Sequence, residues 1–182
     1  MTSRYEVAAT PRLRITTWLA SDVDDLAALH GDPAVMAHLS PGRPETREEV
    51  QARLDAYRRE QVTPGWTKWR VEDRSGRMVG RAGFGAHGAG RELGYTLGRD
   101  VWGRGLASEL AVALVAWHHA HPLPEPAALL AFATPDNAAS RRVLEKAGFR
   151  CTGIAPYHGR AHARYELAAD PEPGAASLSA GR

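Results

Sequence analysis

The stretch VWGRGLASE at 101–109 constrains this chain more than any other. The run before it, ELGYTLG (92–98), is apolar and β-prone. The run after it, LAVALVAWHHA (110–120), carries a long helical pattern. A strand that ends in glycines and feeds a helix gathers several backbone N–H groups, all without intrahelical partners, into one concavity. The helix dipole adds roughly half a positive charge there. Glycine lets a bulky anion reach the backbone without meeting a Cβ. Arg99 and Arg104 add mobile cations beside the turn, and Ala107 and Ser108 keep the helix start uncrowded. Such a place suits phosphate or pyrophosphate, so the expected ligand is a polyphosphate-bearing cofactor held mostly by backbone. Taken alone, Gly103 and Gly105 fit a plain tight connection equally well.

Other nucleotide motifs fit less well. A P-loop needs Gly-Lys-Ser/Thr, which does not occur. The dinucleotide pattern G-x-G-x-x-G is met only at its first two glycines, because Ser108 stands third. Its acidic partner would fall near Glu125, inside the proline-rich HPLPEP. A nucleotide-binding oxidoreductase domain is therefore the weaker alternative.

The rest of the chain supplies the elements that such a turn needs around it. RLRITTWLA (12–20) alternates like a first or edge strand. SDVDDLAALH follows as a helix with Ser21 as its N-cap, and Asp32-Pro33 breaks it and opens a short second one. TREEVQARLDAYRREQ (46–61) is amphipathic, with Thr46 and Glu49 as a capping box and Val50, Leu54 and Tyr57 as the apolar stripe. TKWRVEDR and RMVGRAGFGA form a hairpin about Ser75-Gly76, and GAHGAGR (85–91) turns the chain into 92–98. AALLAFAT (127–134) is a buried strand. DNAASRRVLEKAGF is a complete short helix. Asp136 or Asn137 caps it, Ala139, Val143 and Ala147 face inward, and Gly148 takes the left-handed end position. FRCTGIAPY and HARYELAA close the sheet as a strand pair. The order predicts one mixed α/β domain over 11–168, with helices covering a mostly antiparallel sheet. Residues 1–10 and 170–182 read as disordered tails.

Composition narrows the partners. A net charge of +2 is too small to argue for nucleic acid. One cysteine, Cys151, forbids an internal disulfide and excludes a clustered-cysteine zinc site, as expected for a reducing cytoplasm. No apolar run approaches a membrane span, and MTSRYEVAATPRLR lacks a signal-peptide core. His118, His119 and His121 end a helix, where cations suit the dipole; no carboxylate or cysteine shares a metal-binding spacing with them. His87, His158 and His162 sit in or near loops and are candidates for an acceptor cleft. Trp18, Trp66 and Trp69 suit the core or a sheet face.

ELGYTLGRDVWGRGLASEL resembles the central motif of the GNAT superfamily of acyl-CoA N-acyltransferases. TPDNAASRRVLEKAGFR is similar to that family's next strand and helix, with its Asn-x-x-Ser and Lys-x-Gly-Phe pattern. The resemblance spans about 11–168, is strongest over 92–150, and points to the branch that acetylates N-terminal residues of ribosomal proteins. One departure stands at Trp102, where the family commonly has Gln or Arg; this branch often has an aromatic there, and the change removes one side-chain donor to phosphate.

The resemblance implies a central splayed parallel strand pair flanked by helices, with acetyl-CoA as co-substrate and no metal. The pantetheine arm would lie in the splay between the strands at 92–98 and 128–134, held by backbone of Leu97 and Arg99. Trp102 and the amides of Gly103, Arg104, Gly105, Leu106, Ala107 and Ser108 would take the pyrophosphate. Asn137 would bond the pantetheine, a role that competes with capping its own helix. Arg141 and Arg142 would reach the terminal phosphate, although as bare sequence they suit a solvated helix face. Glu92 is the candidate base and Ser140 the candidate proton donor to the thiolate, with Tyr157 as rival donor. Glu92 as a surface charge and Ser140 as a small packing residue are the bland alternatives. The acceptor is a primary amine: a protein N-terminus, an antibiotic or polyamine amine, or an amino acid. A non-catalytic acyl-CoA-binding module is the second reading. The branch allows a homodimer, which no sequence feature demonstrates.

Overall fold

The computed structural model describes residues 3–125 and 127–167. Its strands are β1 (Glu6–Ala9), β2 (Leu13–Thr16), β3 (Lys68–Asp73), β4 (Met78–His87), β5 (Gly90–Leu97), β6 (Leu129–Ala133), β7 (Arg150–Tyr157) and β8 (Arg160–Leu167). The helices are α1 (Val23–His30), α2 (Pro33–Met36), α3 (Arg47–Glu60), α4 (Leu106–Ala120) and α5 (Ala138–Lys146). The strands form one sheet in the order β1-β2-β3-β4-β5-β6-β8-β7. Every pairing is antiparallel except the central β5–β6 pair. That pair is registered only at Glu92–Leu130 and Leu93–Ala131. Beyond Leu93 the two strands separate, so their facing edges are free of each other.

Alternation on the strands sends two different sets of side chains to the two faces. One face, with Trp69, Phe84, Leu93 and Leu97, packs on Leu110, Ala111 and Leu114 of α4 in the main core. The other carries Lys68, Arg70, Arg81, Glu92 and Thr96, as the register pairs show. On the helical side of the molecule, Trp18, Leu26, Val50, Leu54 and Tyr57 form a second apolar cluster.

Several local signals are realised as the residues predict. Thr46 and Glu49 close a reciprocal capping box on α3. Val50, Leu54 and Tyr57 are buried. Asn137, not Asp136, caps α5 by accepting from Ser140 N at 3.0 Å. Gly148 has φ +94°.

Others are corrected. The stretch 1–10, expected as a loose tail, contains β1, which pairs with β2, and Arg4 binds the buried Asp22. Composition alone hid this, since an edge strand anchored by ion pairs from Arg4 to Asp22 and Glu72 needs little apolar surface. The expected tail 170–182 lies outside the described residues. Ser21 does not cap α1; Asp22 instead accepts from Leu19 N at 2.8 Å. Ala139 is exposed, and Leu144 is the buried anchor of α5. His118 is no helix-end cation: burial, with Arg91 adding to it, pushes its imidazole down to about 4.

His30 behaves alike in the second cluster. Its side chain is fully buried, and burial together with Arg81 lowers it to about 4 against the pull of Glu45. A free imidazole titrates near 6.5, so between about pH 6.5 and about pH 4 the unfolded chain binds more protons than the folded one. Stability is then full above the unfolded value and is lost as pH falls through this window. Melting temperature should drop by several degrees from about pH 7 to about pH 4.5, on the order of 2–3 kcal/mol from His30 alone. A flat melting profile over that range would contradict neutral burial.

Candidate active site

The splay opens into a cavity of about 880 Å³. At one end it is lined by Leu97, Trp102, Gly103, Gly105, Leu106, Ala107 and Ser108. The first backbone bond of α4 there is Glu109 N to Gly105 O, so the amides just before it have no helical partner. Gly105 is the N-cap residue with φ +75° and ψ 5°, a conformation that L side chains avoid. A Cβ built on Gly103 would meet nothing within 4 Å. The helix mouth is therefore open. Arg12 lies beside it, not in it: its guanidinium donates to the Arg104 carbonyl and pairs with Glu109, and neither side chain lines the cavity. An open ring of amides under a helix dipole fits a diphosphate.

Three expected cations do not line the cavity. The Arg99 side chain is exposed, 3.9 Å from Asp32. Arg104 is exposed on the turn. Arg141 donates to Tyr165 Oη at 3.0 Å and to the Pro135 carbonyl. Sequence placed all three near the cofactor by their position in the motif; Arg99 and Arg141 turn to tertiary partners, whereas Arg104 stays exposed beside the turn. Trp102, 49% exposed, donates its indole N–H to the Leu97 carbonyl at 2.8 Å. One acceptor position expected to hold the pantetheine thus already carries a bond, and the indole would have to share it or swing.

The middle of the cavity passes the splay. Tyr95 on β5 and Ser140 on α5 meet there, with their hydroxyl oxygens 2.9 Å apart. Burial pushes the Tyr95 phenol up to about 12, so it stays protonated at neutral pH. Sequence reasoning found Ser140 and missed Tyr95. The strand alternation in ELGYTLG puts Tyr95 opposite Glu92 and Thr96, on the face toward α5, and that was the available signal.

Glu92 ends the cavity on the other sheet face and is only 6% exposed. Tyr157 Oη donates to its Oε2 at 2.8 Å, and Lys68 Nζ lies 3.2 Å from the same oxygen. Among the described residues no hydrogen bond is made to Oε1. Tyr157 is held by stacking on Phe132, ring centroids 4.1 Å apart and nearly parallel. Burial, then the charge of Glu92, raises the Tyr157 phenol well above its ordinary value. The two residues expected as base and rival donor are therefore one hydrogen-bonded pair. Gly94 makes room for it: a Cβ there would come within 2.7 Å of Lys68 Cε and 3.3 Å of Glu92 Oε1. Around this end stand His38, His158 and His162 with Arg53, Tyr57, Arg81 and Arg160. His158 and His162 were expected at an acceptor cleft; His87 is not among the lining residues, and His38 was missed.

A family model described as an acetyltransferase (GNAT) domain matches residues 12–150. Among solved structures, a GnaT-family acetyltransferase from Bordetella pertussis is 25% identical and superposes with TM-score 0.74 over 88% of this chain and 98% of that one. RimL, a ribosomal L7/L12 alpha-N-protein acetyltransferase in complex with coenzyme A, is 19% identical, with TM-score 0.74 over 89% and 97%. The ribosomal-protein S5 alanine acetyltransferase from Vibrio fischeri is 18% identical, with TM-score 0.71 over 87% and 94%. The last two share the fold. With a matched domain covering most of its length, a sheet splayed at a central parallel pair and an open glycine turn at the mouth of α4, the chain belongs to the GNAT acetyltransferases and is an N-acetyltransferase.

Proposed function

We propose that the protein moves an acetyl group from acetyl-CoA to a primary amine by direct attack, with both substrates bound at once. One observation carries this reading: a single cavity joins the open turn at Gly103–Ser108, the splay beyond Leu93 and the Glu92–Tyr157 pair. The backbone amides of Gly103 to Ser108 hold the diphosphate. The pantetheine lies along the free edge of β5 between Leu97 and Leu93, and RimL, of the same fold, was solved with coenzyme A. Asn137 caps α5 through its side-chain oxygen and keeps its amide N–H groups as donors toward the pantetheine.

The amine approaches from the side of Glu92. An α-amine titrates near about 8, so a modest share is already neutral at physiological pH; a lysine-type amine near ~10.4 needs more help. Glu92 Oε1 takes the proton as nitrogen bonds to the carbonyl carbon, and Lys68 and Tyr157 keep the carboxylate in position. The C–S bond then breaks, and the thiolate takes a proton from the Ser140–Tyr95 hydroxyl pair, or is stabilised by it. The products are an amide and free coenzyme A.

Incubating purified protein with acetyl-CoA and a panel of primary amines tests this. Mass spectrometry should show an acetylated amine, and a thiol assay an equal amount of free coenzyme A. Tight binding of acetyl-CoA with no amine-dependent release across the panel would overturn the reading.

A further inference from the structure

On the acceptor side of the sheet, two arginines sit in one cross-strand row and are treated very differently. Arg70 and Arg81 are register partners, and both are buried. Arg70 has three carboxylates around it, from Asp22, Asp25 and Glu72. Arg81, 7% exposed, has no carboxylate ion pair among the described residues. Its Nε donates to His30 Nε2 at 3.0 Å, and His30 Nδ1 meets Glu45 at 2.7 Å. Burial keeps that imidazole neutral near physiological pH. A neutral partner fixes the direction of the guanidinium without cancelling its charge, and the two terminal amino groups keep the remaining donors of the fork.

A buried guanidinium without a counter-ion is unfavourable. The other buried case among the described residues, Arg91, is enclosed by the rings of Trp66, Phe84 and Trp117, bonds the His121 carbonyl and does not line the cavity. Arg81 lines it. Thr96, its register partner and 6% exposed, lines it too, and its buried Oγ1 has no hydrogen-bond partner among the described residues. Of the remaining lining cations, Arg53 pairs with Glu45, Lys68 pairs with Glu92 and Arg160 is exposed. A charged fork and an unsatisfied hydroxyl thus share one spot in the acceptor half of the cavity.

We infer that Arg81 and Thr96 form an anion subsite that docks a carboxylate of the acceptor, so that the substrate is a compact amine bearing a carboxylate. This rests on the acetyl-transfer reading and deepens it. The spacing follows from the sheet. The Glu92 carboxylate lies over Gly94, and Gly94 is two residues from Thr96 on the same face. Two residues of strand span roughly 7 Å, which separates the reacting amine from the docked carboxylate. Free ω-amino acids of a few carbons match that span. Polyamines and polycationic antibiotics bring a positive charge against Arg81 and are disfavoured.

The test compares ω-amino acids from glycine to 6-aminohexanoate with their methyl esters and with matched diamines, using coenzyme A release by the full-length protein. At least one acid should exceed its ester and its diamine by roughly tenfold or more in kcat/KM, the size of one charge-assisted hydrogen-bonded pair. Arg81→Met should remove that preference by raising KM for the acid about tenfold more than KM for its ester, with acetyl-CoA affinity and melting temperature checked alongside. Calorimetric titration of the coenzyme A-saturated wild-type protein with the same acids and esters reads the subsite without turnover. Binding of an acid but not its ester supports the subsite even if transfer fails. No acid surpassing its ester in either measurement overturns it, and so does an Arg81→Met variant that keeps the wild-type preference for the acid.

Discussion

Gly105→Glu abolishes acetyl-CoA binding and leaves the fold in place. The residue sits at φ +75° as the N-cap of α4, where any side chain costs about 1–2 kcal/mol of backbone strain. That cost lowers the melting temperature by a few degrees in a chain of this size. A negative charge at a helix start is otherwise compatible with the dipole, so the strain is not compounded. The effect on the ligand is larger. The new Cβ stands 3.8 Å from the Arg12 guanidinium, and the carboxylate beyond it occupies the mouth where the diphosphate must enter. Like charge, steric block and loss of open amides act together, and affinity should fall by at least ~100-fold, about 2.7 kcal/mol. Gly105→Ala carries the strain without the charge and should lose less than ~10-fold. Calorimetry with acetyl-CoA checks both. Unchanged affinity in the glutamate variant would remove the turn from the binding site.

Glu92→Gln should lower kcat by roughly 10²- to 10⁴-fold, the usual contribution of a positioned base. The amide keeps the shape of the side chain and can still accept from Tyr157 Oη, so the pocket holds. Lys68 loses its carboxylate but keeps some access to water, which limits the stability cost. Acetyl-CoA affinity should stay within about twofold, because the diphosphate site lies at the other end of the cavity. The variant's rate should recover in part as pH rises past the amine's own value near about 8, where the nucleophile loses its proton unaided. Tyr157→Phe removes one bond that positions the carboxylate and should cost less. A Glu92→Gln enzyme with nearly wild-type kcat would leave the glutamate as a partner of Lys68 and nothing more.

Much of the fold was legible because the informative signals are local. The Thr46–Glu49 box, the Asn137 cap and the Gly148 terminus each involve residues within a few positions. So does the change from strand to helix across Gly103-Arg104-Gly105. Such features depend on backbone dihedrals and nearby donors, which composition at short spacing dictates. The strand at Glu6–Ala9 escaped notice because its evidence is a partner strand and an arginine–aspartate contact, neither visible in the first ten residues alone.

The site divides in the same way. Residues 92–108 by themselves determined that a flexible glycine turn would open a helix beyond a strand, and so where a diphosphate could be gripped. Only the tertiary structure decided which side chains meet there. Tyr157 reaches Glu92 across 65 positions of sequence, and Tyr95 reaches Ser140 across 45. Arg141 turns to Tyr165, and Arg81 is left beside a neutral histidine while Arg70 is surrounded by acids. The reason is that backbone donors are positioned by the residues next to them, whereas side chains converge only after strand order and register are settled. The interposition of β8 between β6 and β7 belongs to that second class.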